Sequence, residues 1–499
     1  MSPRILPSIL TLGLALSIAG SVQAAQIVPT PRAAELPITA TNRPFLAAAT
    51  SRQPVPLTAA GYVEKEYLIS GMAGIYDWAD AGATPATRLR TGNLAYATRL
   101  LVRRPVDPHR FSGRVVVELL SAAGGFDTAP LWALSATHFL RSGDVWVGLT
   151  VKPSAAETLR RFDRLRYARV NFAVPQAPDC KTDPANTDHG LAWDIIAQTG
   201  ALLRSSSKEN PLVDFDVRRV VAAGYAQAGG YVAAYAAVGH DRLRLGDDRA
   251  VYDAYVDAAG AVGAAPINAC AAPLDAADPR RQVPPRDVPV VTVMTQTDAA
   301  RTQWMRRTDG DAGNDLYRLY EIAGMAHATP LPAGQPSVAD ARIAGIDPAS
   351  DLSCADGPSL FPADHAMNAI WQQLDDLLVQ GTPLAKQPRI EVGAGGVVQL
   401  DALGNARGGW RLPQIDLPLA IYRASSRARP EAPSTQGICA LTGSMTRLDS
   451  AKLKALFGNR AAYLKLFNAA VDAAVTERRM TAADGLAAKL QSVRVVPQF

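Results

Sequence analysis

The stretch Gly224 to Tyr231, GYAQAGGY, follows the apolar run RRVVAA and opens the alanine-rich run VAAYAAV. Strand, tight turn and helix in that order make a nucleophile elbow, where a Ser, Cys or Asp stands between small residues at the end of a sheet. Here the middle residue is Ala226. Its methyl has no lone pair to attack a carbonyl, so no acyl-enzyme can form on it. Gly224, Gly229 and Gly230 suit a strained turn and close strand–helix packing whether or not chemistry follows.

Three other stretches carry groups that such a site needs. VPVVTVM runs into TQTD, which sets Gln296 and Asp298 behind a strand. LYRLYEIAG runs into GMAHAT, which sets His327 behind another. RVVVELL runs into SAAGG, Ser121 to Gly125. Nucleophile, acid and histidine in that chain order, each on a loop after a strand, converge at one edge of a sheet. Ala226 then holds the nucleophile position, His327 is the base and Asp298 its orienting acid, with Gln296 the nearby alternative. Backbone N–H groups of Gln227 and of the Ala123, Gly124, Gly125 loop are the oxyanion donors. Ser121 is the nearest hydroxyl that could replace the missing one. His189, in NTDHG, reads as a solvated loop residue, and Arg407, in GNARGG, as half of a structural ion pair.

The elements that position these residues alternate. Apolar strands over 114–120, 144–150, 288–295 and 316–324, with RRVVAAG, are separated by helical patterns such as APLWALSATHFLRSG and GLAWDIIAQTGALLRSS. That alternation predicts a mainly parallel sheet covered on both faces. Continuous apolar strands fit it better than polar alternation would. The lead-in, 25–60, is rich in Pro, Ala and Thr and reads as extended. Residues 61–384 form the core, interrupted near 151–190 by a charged, then Pro-rich insertion that reads as a lid. Residues 385–499 read as a β-rich appendage, then C-terminal helices packed on the core. One helix starts at TAAD with Thr481 and Asp484 as its cap.

Across most of its length the chain resembles the large secreted or periplasmic α/β-hydrolase-domain proteins of bacteria whose elbow reads Gly-x-Ser-Gln-Ser. The resemblance runs through VVVELLSAAGGFDTAP, RFDRLRY, RRVVAAGYAQAGG, VPVVTVMTQTD, EIAGMAHA, LGNARGGWRLPQIDLPLA and CALTGS. It implies an α/β-hydrolase fold and carboxylic-ester hydrolysis through an acyl-enzyme. Matched residue by residue, the family's serine falls on Ala226 and the small residue after it on Ala228. The glutamate of the family's Thr-Glu-Thr-Asp falls on Gln296, while its aspartate is kept as Asp298 and its histidine as His327. Ser121 stands where the family has asparagine. These departures occur together, which favours natural divergence over an engineered Ser-to-Ala knockout.

Composition bounds the rest. The chain has 499 residues and a formal charge of +5 from 51 basic and 46 acidic residues, with no basic block or aromatic–basic alternation of the kind that binds nucleic acid. MSPRILPSILTLGLALSIAGSVQA has one Arg, an apolar stretch from Ile5 to Ala19, and small residues Val22 and Ala24 before a cut after Ala24. This is the pattern of a cleavable signal peptide over 1–24, so the protein is expected to be secreted or periplasmic. No later stretch is long enough to span a bilayer. Four cysteines permit two disulfides, and order along the chain suggests Cys180–Cys270 and Cys354–Cys439. No nucleotide loop or metal-ligand cluster appears, so no cofactor or metal is expected. The expectation is therefore a degenerate hydrolase that binds a small ester or carboxylic acid. The rival is an active hydrolase that uses a water activated by His327 or another nucleophile.

Overall fold

Ten strands form one sheet, and its order explains why distant loops meet. In chain order they are β1 (Arg32–Leu36), β2 (Tyr62–Trp78), β3 (Thr87–Pro105), β4 (Arg114–Leu119), β5 (Val145–Leu149), β6 (Arg219–Tyr225), β7 (Ala254–Ala258), β8 (Val290–Thr295), β9 (Gly310–Ala312) and β10 (Asp315–Ile322). Across the sheet they lie β9-β10-β8-β7-β6-β4-β5-β3-β2-β1. From β10 to β5 every neighbouring pair is parallel. The edge strand β9 and the wing formed by β3, β2 and β1 are antiparallel. The computed structural model describes residues 25–39, 42–79, 85–176, 180–182, 186–260, 265–275, 278–328, 330–347 and 354–499. The signal peptide expected over 1–24 lies outside them.

The parallel strands are buried along their length because helices cover both faces. β4, β5, β7 and β8 expose no residue. The helix Pro130–Ser142 packs against Ala363–Gln380, and Ala192–Arg204 lies against β2. Among the described residues two acidic side chains stand inside parallel strands without a salt bridge, Glu118 and Asp257. Glu118 accepts hydrogen bonds from the backbone N–H groups of Leu131 and Trp132 and from Trp146 Nε1, each at 2.8 Å. It thus satisfies free donors at the N-terminus of Pro130–Ser142. Burial pushes its carboxyl up to about 7.

The antiparallel wing holds a buried ionic network that reaches into the 151–190 insertion. Arg99 binds Asp127 at 2.8 Å and the Phe45 carbonyl at 2.6 Å. Glu66 accepts from Arg166 Nε at 2.5 Å and from the Tyr167 hydroxyl at 2.9 Å. The charged half of the insertion is therefore anchored to β2, and Asp127 fixes the end of the SAAGGFD loop. Its helix, Pro153–Phe162, reaches the same loop through Thr158 Oγ1, which donates to the Gly125 carbonyl at 2.8 Å.

Beyond residue 385 the chain is held by isolated bridges, Ile390 with Gly408, Val392 with Val398 and Leu400 with Ala406. A hairpin of Ala420–Arg423 with Ser444–Arg447 follows. The GNARGG turn docks on β10. Trp410 N donates to the Glu321 carbonyl at 2.6 Å, and a Cβ on Gly409 (φ 76°) would stand 2.8 Å from that oxygen. Arg407 pairs with Glu391 at 3.0 Å at the surface. From Ser450 the chain forms two helices before the one that starts at TAAD, Ser450–Phe457 and Arg460–Thr476. Gly458 takes φ 78° and Asn459 caps the second helix, so the break has a local cause. Thr481 caps Ala482–Val495 by accepting from Asp484 N. Both disulfides form, Cys180–Cys270 and Cys354–Cys439. Among the described residues no helix is long and apolar enough to cross a membrane, and no group of His, Cys, Asp or Glu is arranged to hold a metal.

Candidate active site

The turn after β6 has the geometry of an elbow. Ala226 sits at φ 53°, ψ −122°, outside the regions open to L-residues, and the helix Gln227–Ala234 starts at the next residue. The glycines around it are sterically required. A Cβ on Gly224 would lie 2.4 Å from the Ala228 carbonyl oxygen, and one on Gly229 would lie 2.5 Å from Asp257 Oδ1. Ala226 N donates to the Ala258 carbonyl at 2.9 Å, which pins the turn to β7.

The acid and the histidine come from the loops after β8 and β10. Asp298 is the third residue of the short helix Gln296–Arg301 and closes a capping box with Thr295. Its Oδ2 accepts from Thr295 N at 3.1 Å and from Thr295 Oγ1 at 2.7 Å. That fixes the carboxylate and leaves Oδ1 for His327 Nδ1, at 2.9 Å. Asp298 is fully buried. Gln296, two residues back, points elsewhere: its Oε1 accepts from Gly324 N at 2.7 Å and so holds the start of the histidine loop. Further bonds position that loop. His327 N donates to Thr297 Oγ1 at 3.1 Å, and the Tyr225 hydroxyl donates to the His327 carbonyl at 2.9 Å.

Ala226, Gln227, His327 and Ala123 line one cavity of about 380 Å³. Neither Ala123 N nor Gln227 N has a backbone partner among the described residues. Gln227 N belongs to the first turn of its helix, where free N–H groups are intrinsic. In the SAAGG loop, Ser121 N and Gly125 N are spent on the Thr128 and Ala122 carbonyls, at 3.0 Å each. Ser121 is buried in that bridge with Thr128 and does not line the cavity, and neither does Gly124 or Gly125.

Six further described residues line the cavity: Lys152, His189 and Tyr231 carry polar groups, and Ala259, Ala265 and Pro266 are small or apolar. Lys152 Nζ lies 5.7 Å from the centre of the Tyr231 ring. Burial holds its pKa below the usual lysine range. His189, expected as a solvated loop residue, packs edge-on against Tyr231 and has a buried Nε2 with no partner. Burial, and then the Lys152 charge, lower its pKa against the opposing pull of Asp188. The preceding Asp188 fixes this turn by accepting from Gly190 N at 2.7 Å and Ala269 N at 2.9 Å. Nothing local marks Lys152 in the sequence, since it follows a strand as an ordinary polar residue does.

Loops after β4, β6 and β10 thus meet at the ends of parallel strands around one hollow, and the loop after β8 holds His327 through Asp298, which is the architecture of an α/β-hydrolase. The assignment is carried further by residues 28–489, which match the family described as Alpha/beta hydrolase domain, and the chain belongs to that family. A comparison with curated proteins gave no match. Among solved structures the chain is similar to a Pyrobaculum calidifontis esterase at 12% identity, over 62% of this chain and 85% of that one, with a TM-score of 0.30. It is similar to Thermogutta terrifontis esterase 2 at 13% identity, over 45% and 77% of the two chains, with a TM-score of 0.26. A third is poly(aspartic acid) hydrolase-1 from Sphingomonas sp. KT-1, at 12% identity, over 48% and 76%, with a TM-score of 0.25.

Proposed function

We propose that this protein is an exported α/β-hydrolase of carboxylic-ester hydrolase ancestry that has lost serine catalysis and binds a small ester or carboxylic acid in the cavity at Ala226. The carrying observation is the strained elbow with a methyl at its tip, sharing that cavity with His327. In this reading Gln227 N and Ala123 N receive the ligand's carbonyl oxygen, while His327 and Asp298 form a base with no hydroxyl to deprotonate. In a serine protease, oxyanion hole and binding alone leave roughly 10³–10⁴-fold acceleration over water. Residual turnover of that order is compatible with a binding role.

A second reading has its own support. The His327–Asp298 pair is complete, and Nε2 of that imidazole is free for a water in the space a hydroxyl would fill. An ester panel on the parent protein, Ala226→Ser and His327→Ala separates the two. A silent parent with an active Ala226→Ser supports the binding reading. Parent activity that disappears in His327→Ala supports water activation. A silent Ala226→Ser overturns the assignment of Ala226 to the nucleophile position.

A further inference from the structure

We infer that the cavity at Ala226 selects carboxylate anions over the corresponding neutral esters, with Lys152 as the counter-ion. The inference deepens the ligand-binding reading above and rests on it.

Lys152 lies between β5 and the helix Pro153–Phe162, half-buried, with its ammonium turned toward the Tyr231 ring. No carboxylate stands within ion-pair distance of it among the described residues. Among the described residues no Asp or Glu lines the cavity. Asp298 is committed to His327 and Thr295, and Asp188 to Gly190 N and Ala269 N. The walls between are small and apolar, from Ala226, Ala259, Ala265 and Pro266. An unpaired ammonium taken out of water beside such walls is costly, and an entering anion offsets the cost. The remaining polar groups add donors, the N–H of Gln227 and of Ala123. His189 and His327 also line the space, and burial lowers the pKa of His189, which favours its neutral form.

A volume of about 380 Å³ sets the size class. It suits a short-chain or single-ring acid and lies near the low end of ordinary ligand sites. A carboxylate there sets one oxygen at the oxyanion donors beside Ala226 and the other toward Lys152. A neutral ester places an alkoxy group at the second position, which the ammonium does not favour. Such a ligand is the acid half of the ester that the elbow would have cleaved. The reaction that supplies it is any ester hydrolysis or carbonyl oxidation yielding a small monocarboxylate.

The test is isothermal titration calorimetry on the purified protein with acetate, butyrate, hexanoate and benzoate, each beside its methyl ester. Charge-assisted hydrogen bonding predicts that the preferred acid binds about ten- to a hundredfold tighter than its ester. Lys152→Met should remove that preference and Lys152→Arg should keep most of it, with thermal unfolding of both compared with the parent. If Lys152→Met does not fold, the parent alone decides. Acid affinity must then fall as pH rises through the lysine's titration while ester affinity stays level. Equal binding of acid and ester, or a preference intact in Lys152→Met, overturns this inference and leaves the binding reading standing. Binding of neither class overturns both.

Discussion

His327 Nδ1 lies 2.9 Å from Asp298 Oδ1, and the other oxygen of that carboxylate is held by Thr295 through its N–H and its hydroxyl. A histidine oriented in this way presents Nε2 as a base and keeps its proton on Nδ1. The pair is therefore assembled as if for a nucleophile, in a chain whose elbow carries Ala226.

Asp298→Asn in an Ala226→Ser background tests that orientation. The asparagine amide donates to Nδ1 and moves the imidazole proton to Nε2, so the serine loses its base. Turnover of p-nitrophenyl acetate should fall by about 10⁴-fold, as in the serine-protease template. Gln296→Glu in the same background should leave turnover near that of Ala226→Ser, because Gln296 faces Gly324 N and not His327. Rescue of Asp298→Asn by Gln296→Glu would reverse the assignment of the orienting acid.

Ala226→Gly addresses the strain at the elbow. A non-glycine residue in a sparsely populated region costs about 1–3 kcal/mol. Glycine relieves that cost and loses about 0.5–1 kcal/mol through the freer unfolded chain. The balance is stabilising by about 1 kcal/mol. An upward shift of the chemical-denaturation midpoint at unchanged m-value checks it, and a fall in midpoint would show that the turn is not strained.

The parallel half of the fold was legible where its strands are continuous apolar runs, but β7, AYVDA, was missed because it is short and carries Asp257. The antiparallel wing was not. β2 reads YVEKEYLISGMAGIYDW, with glycines and charges inside a long strand. Glu66 and Arg99 are fully buried, and only the packing shows that each has an opposite charge beside it. At the site, spacing located the acid loop but could not separate Gln296 from Asp298, since a capping box decides which side chain turns toward the histidine. Lys152 and His189 were illegible as a pair because they meet only through the tertiary fold. The helix break at Gly458 was written in the sequence as Gly-Asn, a left-handed stop followed by a cap.

Asp257 gives the stability a pH dependence. It is the penultimate residue of β7, against the elbow helix, and its Oδ1 is buried without a partner. Burial first, then the charge of Asp298, push its carboxyl from 3.8 up to about 7, while a bond from Gly260 N pulls the other way. The folded state thus holds a proton that the unfolded chain releases, so this group's contribution falls as pH rises from about 4 to about 7. Asp257→Asn removes that slope. The stability difference, variant minus parent, should rise by up to about 4 kcal/mol between pH 4 and pH 8. Glu118 titrates near the same pH and remains in both proteins, so the difference isolates Asp257. A difference that stays flat with pH would remove Asp257 as the source.

The two disulfides should act on different halves of the site. Cys354–Cys439 closes a sequence separation of 85 residues, for which chain entropy alone gives about 4–5 kcal/mol. The segment it secures runs beside the histidine loop: Ala328 N donates to the Leu441 carbonyl at 2.8 Å, and Gly443 N to the Ala328 carbonyl at 3.3 Å. Thr297 Oγ1, the acceptor for His327 N, itself donates to the Ala424 carbonyl at 2.7 Å. Loosening that segment disturbs the base. The double variant Cys354→Ser, Cys439→Ser in an Ala226→Ser background should therefore lower both the denaturation midpoint and ester turnover. Cys180–Cys270 instead joins the two segments that carry His189 and Pro266, on the opposite wall of the cavity. Cys180→Ser with Cys270→Ser in the same Ala226→Ser background should weaken ligand binding and leave the His327–Asp298 base in register, so KM rises while kcat changes less. If both pairs affect kcat and KM alike, the appendage does not position the histidine separately from the rest of the fold.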